Sequence, residues 1–192
     1  MPTPLAHSFC GFIFFPETQK HLFRNQIYSA SFVVFFSTFP DYDYLIGLIK
    51  GDLMWGHRMV THTFYFPLLI GMIVGIGAKC FQKKFLPFFT LTASLIGIHI
   101  LLDYFCVDFH PENGIGVPLF WPFSGKFYNF PCHPIAIKMM GEYPSLLFIS
   151  LNDLYYMIIF AGLMIWRRGR NKTIKKGGTY ADRSHKRYSR RA

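Results

Sequence analysis

FLPFFTLTASLIGIHILLDYFCV, residues 85–107, is an apolar run with one histidine and one aspartate inside it. A helix that crosses a bilayer needs about 20 mostly apolar residues, and this run meets that length. His99 and Asp103 are four apart, so a helix puts them on one face. Ionisable groups inside such segments are costly and point to function. An imidazole and a carboxylate at that spacing can hold one divalent metal ion. A plain His–Asp hydrogen bond packed inside a bundle would use the same pair.

Working outward, residues 146–166 form a second run of spanning length, and residues 64–80 a slightly shorter one. Residues 22–39 are weaker, because their apolar part begins at Ile27 and stops at Pro40. Residues 3–16 are shorter still, and YLIGLI (44–49) reads as interfacial. The expected fold is all-α: an integral membrane helical bundle of about four transmembrane helices plus a short N-terminal membrane-dipping helix. Only 16% of the chain is charged, against about 25% in soluble domains, which agrees. The 23 Phe and 11 Tyr exclude disorder of the whole chain. The start has no positive region ahead of its apolar run, so no cleavable signal is expected.

The net charge of +10 is a property of the tail. From Arg167 onward there are eleven Lys/Arg and one acid, Asp182, whereas residues 1–166 carry nine of each sign. This divides the chain into a membrane-embedded domain, 1–166, and a basic, disordered tail, 167–192. Lys/Arg placement sets the orientation. The tail and the loop with Lys79, Lys83 and Lys84 fall on the cytoplasmic side, as does the turn with Lys20 and Arg24. Residues 40–63 and 104–145 fall on the other side. A basic block directly after a membrane helix reads as a topology signal and an anchor to anionic lipid. It carries no nucleic-acid motif, and no protein partner is indicated. Cys10, Cys80, Cys106 and Cys132 form no CxxC pair, which argues against a zinc ribbon. They read as free thiols, with a Cys106–Cys132 disulfide open if that region faces an oxidising compartment.

Other polar residues in the apolar body are grouped. Asp41 and Asp43 flank Tyr42 after Pro40, where two carboxylates can bind a cation or orient a ligating histidine; turn chemistry alone also places aspartates there. In HRMVTHT (57–63), His57 and His62 are about 140° apart on an ideal helix, so they share a face only if the helix begins between them. Arg58, four before His62, suggests an anionic substrate, or else a snorkelling side chain. His7 joins if the N-terminal helix folds back. His21, His110, His133 and His185 sit in turns, a proline-rich loop or the tail. Seven candidate ligands result: His7, Asp41, Asp43, His57, His62, His99 and Asp103. They suit two metal ions, or one ion with a second layer of partners. Mixed His/Asp ligation favours zinc, with manganese next, over magnesium.

The ordered motifs MPTPLAHSFCG, PDYDYL (40–45), HRMVTHT (57–63), HILLDY (99–104) and LFWPFS (119–124) resemble the YdjM-like group, described as membrane-bound metal-dependent hydrolases. The resemblance covers roughly residues 1–125. That group is distantly similar to zinc phospholipases C and single-strand nucleases, which use clustered His and Asp to bind several zinc ions. The resemblance implies that the same seven residues are metal ligands; it does not supply a substrate. Asn152 and Asp153 lie beyond the motifs and would at most support the site. Residues 111–134, rich in Pro, Gly and aromatics, are expected to form a lid at the membrane interface.

The leading expectation is hydrolysis of an ester or phosphoester, in a membrane lipid or another substrate, by a metal-activated water near the extracytoplasmic face of a bacterial inner membrane. Asp41 or Asp43 would orient ligands or accept a proton, and Arg58 would stabilise developing negative charge. The alternative is a non-enzymatic membrane scaffold, metal-binding or transport-associated. A closed shell of four protein ligands would favour that alternative, and an open position the enzyme.

Overall fold

The computed structural model describes residues 3–51, 57, 59–105, 109–110, 114–130, 154–155, 157–167 and 169. The expectations for Arg58, Cys106, Cys132, Asn152, Asp153, residues 131–134 and the tail beyond Gly169 lie outside the described residues. The chain divides into two compact units, Met1–Met157 and Ile158–Ala192. Described residues are helical apart from connecting turns, the loop 116–130 and a two-residue antiparallel ladder of Phe109–His110 with Gly114–Ile115.

Helix α1 (Pro4–Gly11) begins where Thr3 caps it: the Ala6 N–H donates to Thr3 Oγ1 at 3.4 Å. Pro4 follows the cap, where a missing N–H costs nothing. A 3₁₀ turn, Phe12–Phe14, leads into α2 (Phe15–His21). The apolar stretch at the start of the chain is therefore two short helices with a tightened turn between them.

Helix α3 (Gln26–Thr38) is capped by Asn25, whose side chain accepts from the N–H groups of Ile27 and Tyr28 at 2.8 and 3.4 Å. The sequence reading stops this segment at Pro40. The chain instead continues: residues Phe39–Asp43 tighten to 3₁₀ geometry, α4 (Tyr44–Lys50) follows, and Gly51 ends the run at φ 77°. Pro40 stands in the first turn of the 3₁₀ stretch, where its lack of a donor breaks no bond. The result is one helical run, Gln26–Lys50, of 25 residues. At 1.5 Å per residue that is about 37 Å, more than the hydrocarbon core of about 30 Å.

Helices α5 (Phe66–Cys80) and α6 (Phe85–Phe105) form a hairpin. Gly71 and Gly75 let α5 approach closely: a Cβ on Gly71 would lie 2.9 Å from the Phe89 carbonyl oxygen, and one on Gly75 would lie 2.7 Å from the Phe85 ring. Gln26–Lys50 and α6 are the two described helical runs long and apolar enough to cross a membrane. A shorter apolar helix, α7 (Met157–Arg167), begins at the last residue of the first unit and continues into the second.

The first unit exposes large apolar side chains and buries polar ones beside its apolar core. Leu68, Leu69, Met72, Ile73 and Ile76 of α5 point outward, while His7, His62, His99 and Asp103 are at most 1% exposed. That distribution reverses the soluble pattern and suits a lipid surround. The glycine contact predicts a sign. Gly71→Ala should destabilise the detergent-purified protein by about 1–3 kcal/mol through overpacking. Gly77→Ala, with open space around its Cβ, should be neutral or stabilising, since alanine is the better helix former. Equal thermal midpoints for the two variants would contradict the close approach.

Candidate metal centre

Three parts of the first unit bring side chains to one point. The 3₁₀ stretch inside the first long run supplies Asp41, the turn ahead of α5 supplies His62, and the last two turns of α6 supply His99 and Asp103. All four are buried, with their ligand atoms within 4.8 Å of one another. Neither His57 nor His62 is helical, so the 140° expected on an ideal helix does not apply; their rings meet edge to face at 5.4 Å.

The same four atoms recur in the distances. His62 Nε2 lies 3.3 Å from His99 Nε2, 3.1 Å from Asp103 Oδ2 and 3.7 Å from Asp41 Oδ1. His99 Nε2 lies 3.3 Å from Asp103 Oδ2 and 3.3 Å from Asp41 Oδ1. Five of the six edges of a tetrahedron are thus 3.1–3.7 Å. An ion bonded tetrahedrally at about 2.0–2.1 Å holds its ligand atoms about 3.3–3.4 Å apart. Four of the five edges lie near that spacing, the His62–Asp41 edge is longer, and all four ligand atoms stay within 4.8 Å of one another.

Hydrogen bonds at the far side of each ring fix which nitrogen carries the proton. His99 Nδ1 is 2.8 Å from the Ser37 carbonyl oxygen. A carbonyl only accepts, so Nδ1–H donates, and in the neutral ring Nε2 is the lone pair. Thr61 Oγ1 donates to Asp43 Oδ2 at 2.6 Å and lies 2.9 Å from His62 Nδ1. Its one proton being spent on Asp43, it accepts from His62 Nδ1–H, and His62 Nε2 is again a lone pair. With both rings neutral, as metal ligation requires, two imidazole lone pairs and two carboxylate oxygens face one another in a buried site. Among the described residues, both oxygens of Asp41 and of Asp103 find no hydrogen-bond partner. Leaving such groups buried and unsatisfied costs about 1–3 kcal/mol each, more when charged. A divalent cation shared by the four removes that cost, so the residues fit a metal ion.

The other three candidates take different places. His57 Nδ1 pairs with Asp43 Oδ1 at 2.8 Å, and the His57 ring stacks on Tyr44 with centroids 3.9 Å apart. Asp43 and His57 so form an outer layer that reaches the quartet through Thr61 and His62. His7 stacks on His99 at 3.7 Å, its Nε2 lies 3.6 Å from Asp103 Oδ1, and neither ring nitrogen has a hydrogen-bond partner among the described residues. The helix carrying it does fold back. Sequence reasoning missed Thr61, the Ser37 carbonyl and Tyr44. Thr61 was visible inside HRMVTHT; a backbone carbonyl has no sequence signal.

The expected lid is only partly described. The loop 116–130 is non-helical and held by a bridge between Val117 and Tyr128. The Phe64 N–H donates to the Leu119 carbonyl at 3.0 Å, the Tyr65 hydroxyl to the Trp121 carbonyl, and the Phe130 N–H to the Tyr104 carbonyl at 3.0 Å. These bonds tie the loop to residues just after His62 and just after Asp103. Phe123 stays 87% exposed, as an interfacial aromatic would.

The outer layer makes a prediction. Thr61→Val keeps the shape but loses the acceptor that orients His62. Zinc affinity should fall about 10–100-fold, the usual cost of losing an outer-layer partner, with the fold intact by circular dichroism. Competition against a chelator of known affinity measures it, and an unchanged constant would remove Thr61 from the site.

A family model described as YdjM inner membrane protein matches residues 3–176. No curated protein and no solved structure matches the chain.

Proposed function

The chain belongs to the YdjM inner membrane protein family, and from that premise and the quartet we propose a membrane-bound metal-dependent hydrolase of ester or phosphoester bonds. The observation that carries the reading is the buried cluster of four lone-pair atoms. A divalent ion bound there, zinc before manganese for this donor set, supplies Lewis acidity and a water acidic enough to react near neutral pH.

His62, His99 and Asp103 form the tighter part of the quartet, with mutual distances of 3.1–3.3 Å. Three protein ligands of this kind are the usual holding set for catalytic zinc. Asp41 completes the tetrahedron, yet it has the longest of these edges and is the most exposed of the four at 7%. In the proposed reaction Asp41 accepts the proton of the attacking water. The water oxygen bonds to the acyl carbon or phosphorus, the bond from that atom to the leaving oxygen breaks, and Asp41 returns the proton to the leaving oxygen. Thr61 and Asp43 keep His62 in its ligating tautomer, and Ser37 does the same for His99. Arg58 is proposed to grip the anionic part of the substrate, and the basic tail an anionic lipid surface.

We also propose four spans, with Gln26–Lys50, α5, α6 and the segment containing α7 crossing the bilayer and the tail cytoplasmic. That orientation puts the metal centre towards the extracytoplasmic side. A specific observation favours the second reading, a metal-binding scaffold without turnover: four protein atoms suffice to close a tetrahedral shell.

The test is direct. Zinc-loaded protein in detergent is offered phosphodiester, phosphomonoester and carboxylester lipids. The expected result is metal-dependent cleavage of one class, abolished by chelation and restored by zinc. Cleavage of none by protein with full metal content would favour the scaffold.

A further inference from the structure

A second feature of α6 lies round the helix from the metal ligands. Gly97, Ile100, Leu101 and Tyr104 form the floor of an open groove of about 340 Å³, with Phe64 and Leu119 among its walls. These four positions follow the i, i+3, i+4, i+7 stripe of one helix face. The volume falls within the range of about 300–1,000 Å³ common for small-molecule sites. From Gly97 to Tyr104 the floor runs about 10 Å along the axis, and its Tyr104 end is level with Asp103. Buried Ile96 and Ile100 pack with Phe66 on the core side of the groove. The wall is fixed by the Phe64–Leu119 backbone bond.

Two observations identify the occupant. The floor belongs to a helix apolar and long enough to cross a membrane. The rim also continues the outward apolar surface, since Phe64 and Leu101 are 51% and 49% exposed. The tyrosine is the one residue with a polar side-chain group among the lining residues, and it follows the candidate ligand Asp103 in the chain. We propose that the groove takes one acyl chain of a membrane lipid, with its polar end towards Tyr104, and so makes lipids the substrate class of the adjoining centre. This rests on the hydrolase reading for its second half only; binding of the chain needs no turnover.

Gly97 gives the means to test it. Nothing lies within 4 Å of a Cβ built there, so a larger side chain enters the groove rather than a neighbouring helix, and helix propensity improves. The probe is phosphatidylglycerol with a diazirine near the end of one acyl chain, in phosphatidylethanolamine vesicles holding the zinc-loaded full chain. After illumination, adducts should concentrate on residues 97–104 and 118–120. Gly97→Leu should cut these about tenfold, leaving bound zinc and the adducts on Leu68, Met72 and Ile73 unchanged. Gly97→Ala, the milder change, serves if the leucine variant does not fold. Adducts spread equally over α5 and the groove, indifferent to Gly97→Leu, would mean ordinary bilayer contact and overturn the proposal. A Gly97→Cys variant that forms disulfide-linked dimers would place a second copy in the groove and overturn it as well. Labelling of the groove without lipid cleavage keeps the groove and discards the hydrolase. Lipid cleavage at wild-type rate in Gly97→Leu, with no groove labelling, does the reverse.

Discussion

Purified wild-type protein should carry close to one zinc ion per chain at the quartet, and His99→Ala should carry less than about a tenth of that, because three donors and a cavity replace a matched tetrahedron. Stability gives the second readout. An ion that binds the folded chain alone adds about 2.7 kcal/mol when its free concentration is about 100 times Kd, so zinc should raise the wild-type thermal midpoint and leave that of His99→Ala where it was. Asp103 stands among imidazoles, with His62 and His99 Nε2 3.1 and 3.3 Å from its Oδ2 and His7 Nε2 3.6 Å from its Oδ1, so after exhaustive chelation protonated rings replace the cation as its partners. Asp103→Asn should then unfold at a lower temperature than the wild type with and without zinc, and zinc should leave its midpoint where it was. A plain hydrogen-bonded His–Asp pair predicts no zinc-dependent shift in either protein. Metal content measured by emission spectroscopy and midpoints in detergent decide between them.

The legible half of this site is the half that helical periodicity reaches. His99 and Asp103 needed only the four-residue spacing in an apolar run, and they do share the site face of α6. Asp41 and His62 were candidates by residue type and by resemblance, but no local rule brings them to α6; that follows from the packing of α3 and α5 on α6. The sequence puts Asp43 and His57 on the same footing as Asp41 and His62; in the structure these two are hydrogen-bonded to each other at 2.8 Å and are not among the four clustered ligand atoms. Carboxylates two positions apart, on a 3₁₀ turn, cannot be told apart by spacing. The boundary that the sequence suggests at Pro40 fails for a related reason. Proline's fixed φ and missing N–H exclude it from a helix interior, yet both are harmless in the first turn of a tightened stretch. That local tightening puts Asp41 in the middle of a membrane-length run instead of at its end.

The largest effect on turnover should come from Asp41, and it separates the two readings of the centre. If Asp41 is a permanent fourth ligand of a closed shell, Asp41→Asn should lose zinc as His62→Ala does, because an amide is a poor substitute for a carboxylate anion. If His62, His99 and Asp103 hold the ion and Asp41 takes the proton of the attacking water, the variant should keep most of its zinc while cleavage falls about 10²–10⁴-fold, the usual worth of a positioned general base. The loss should appear in kcat with KM little changed, since the group acts in the transition state rather than in binding. A small, strongly nucleophilic anion supplied in the buffer should bypass part of the defect, because it carries no proton to remove. One edge favours this outcome: Asp41 Oδ1 is 3.7 Å from His62 Nε2, although its 3.3 Å to His99 Nε2 equals the longest of the three edges among the other ligand atoms, 3.1–3.3 Å. Zinc content near wild type with cleavage also near wild type would remove Asp41 from both roles, and joint loss of zinc and cleavage would return the fourth ligand to the shell and the chain to the scaffold reading.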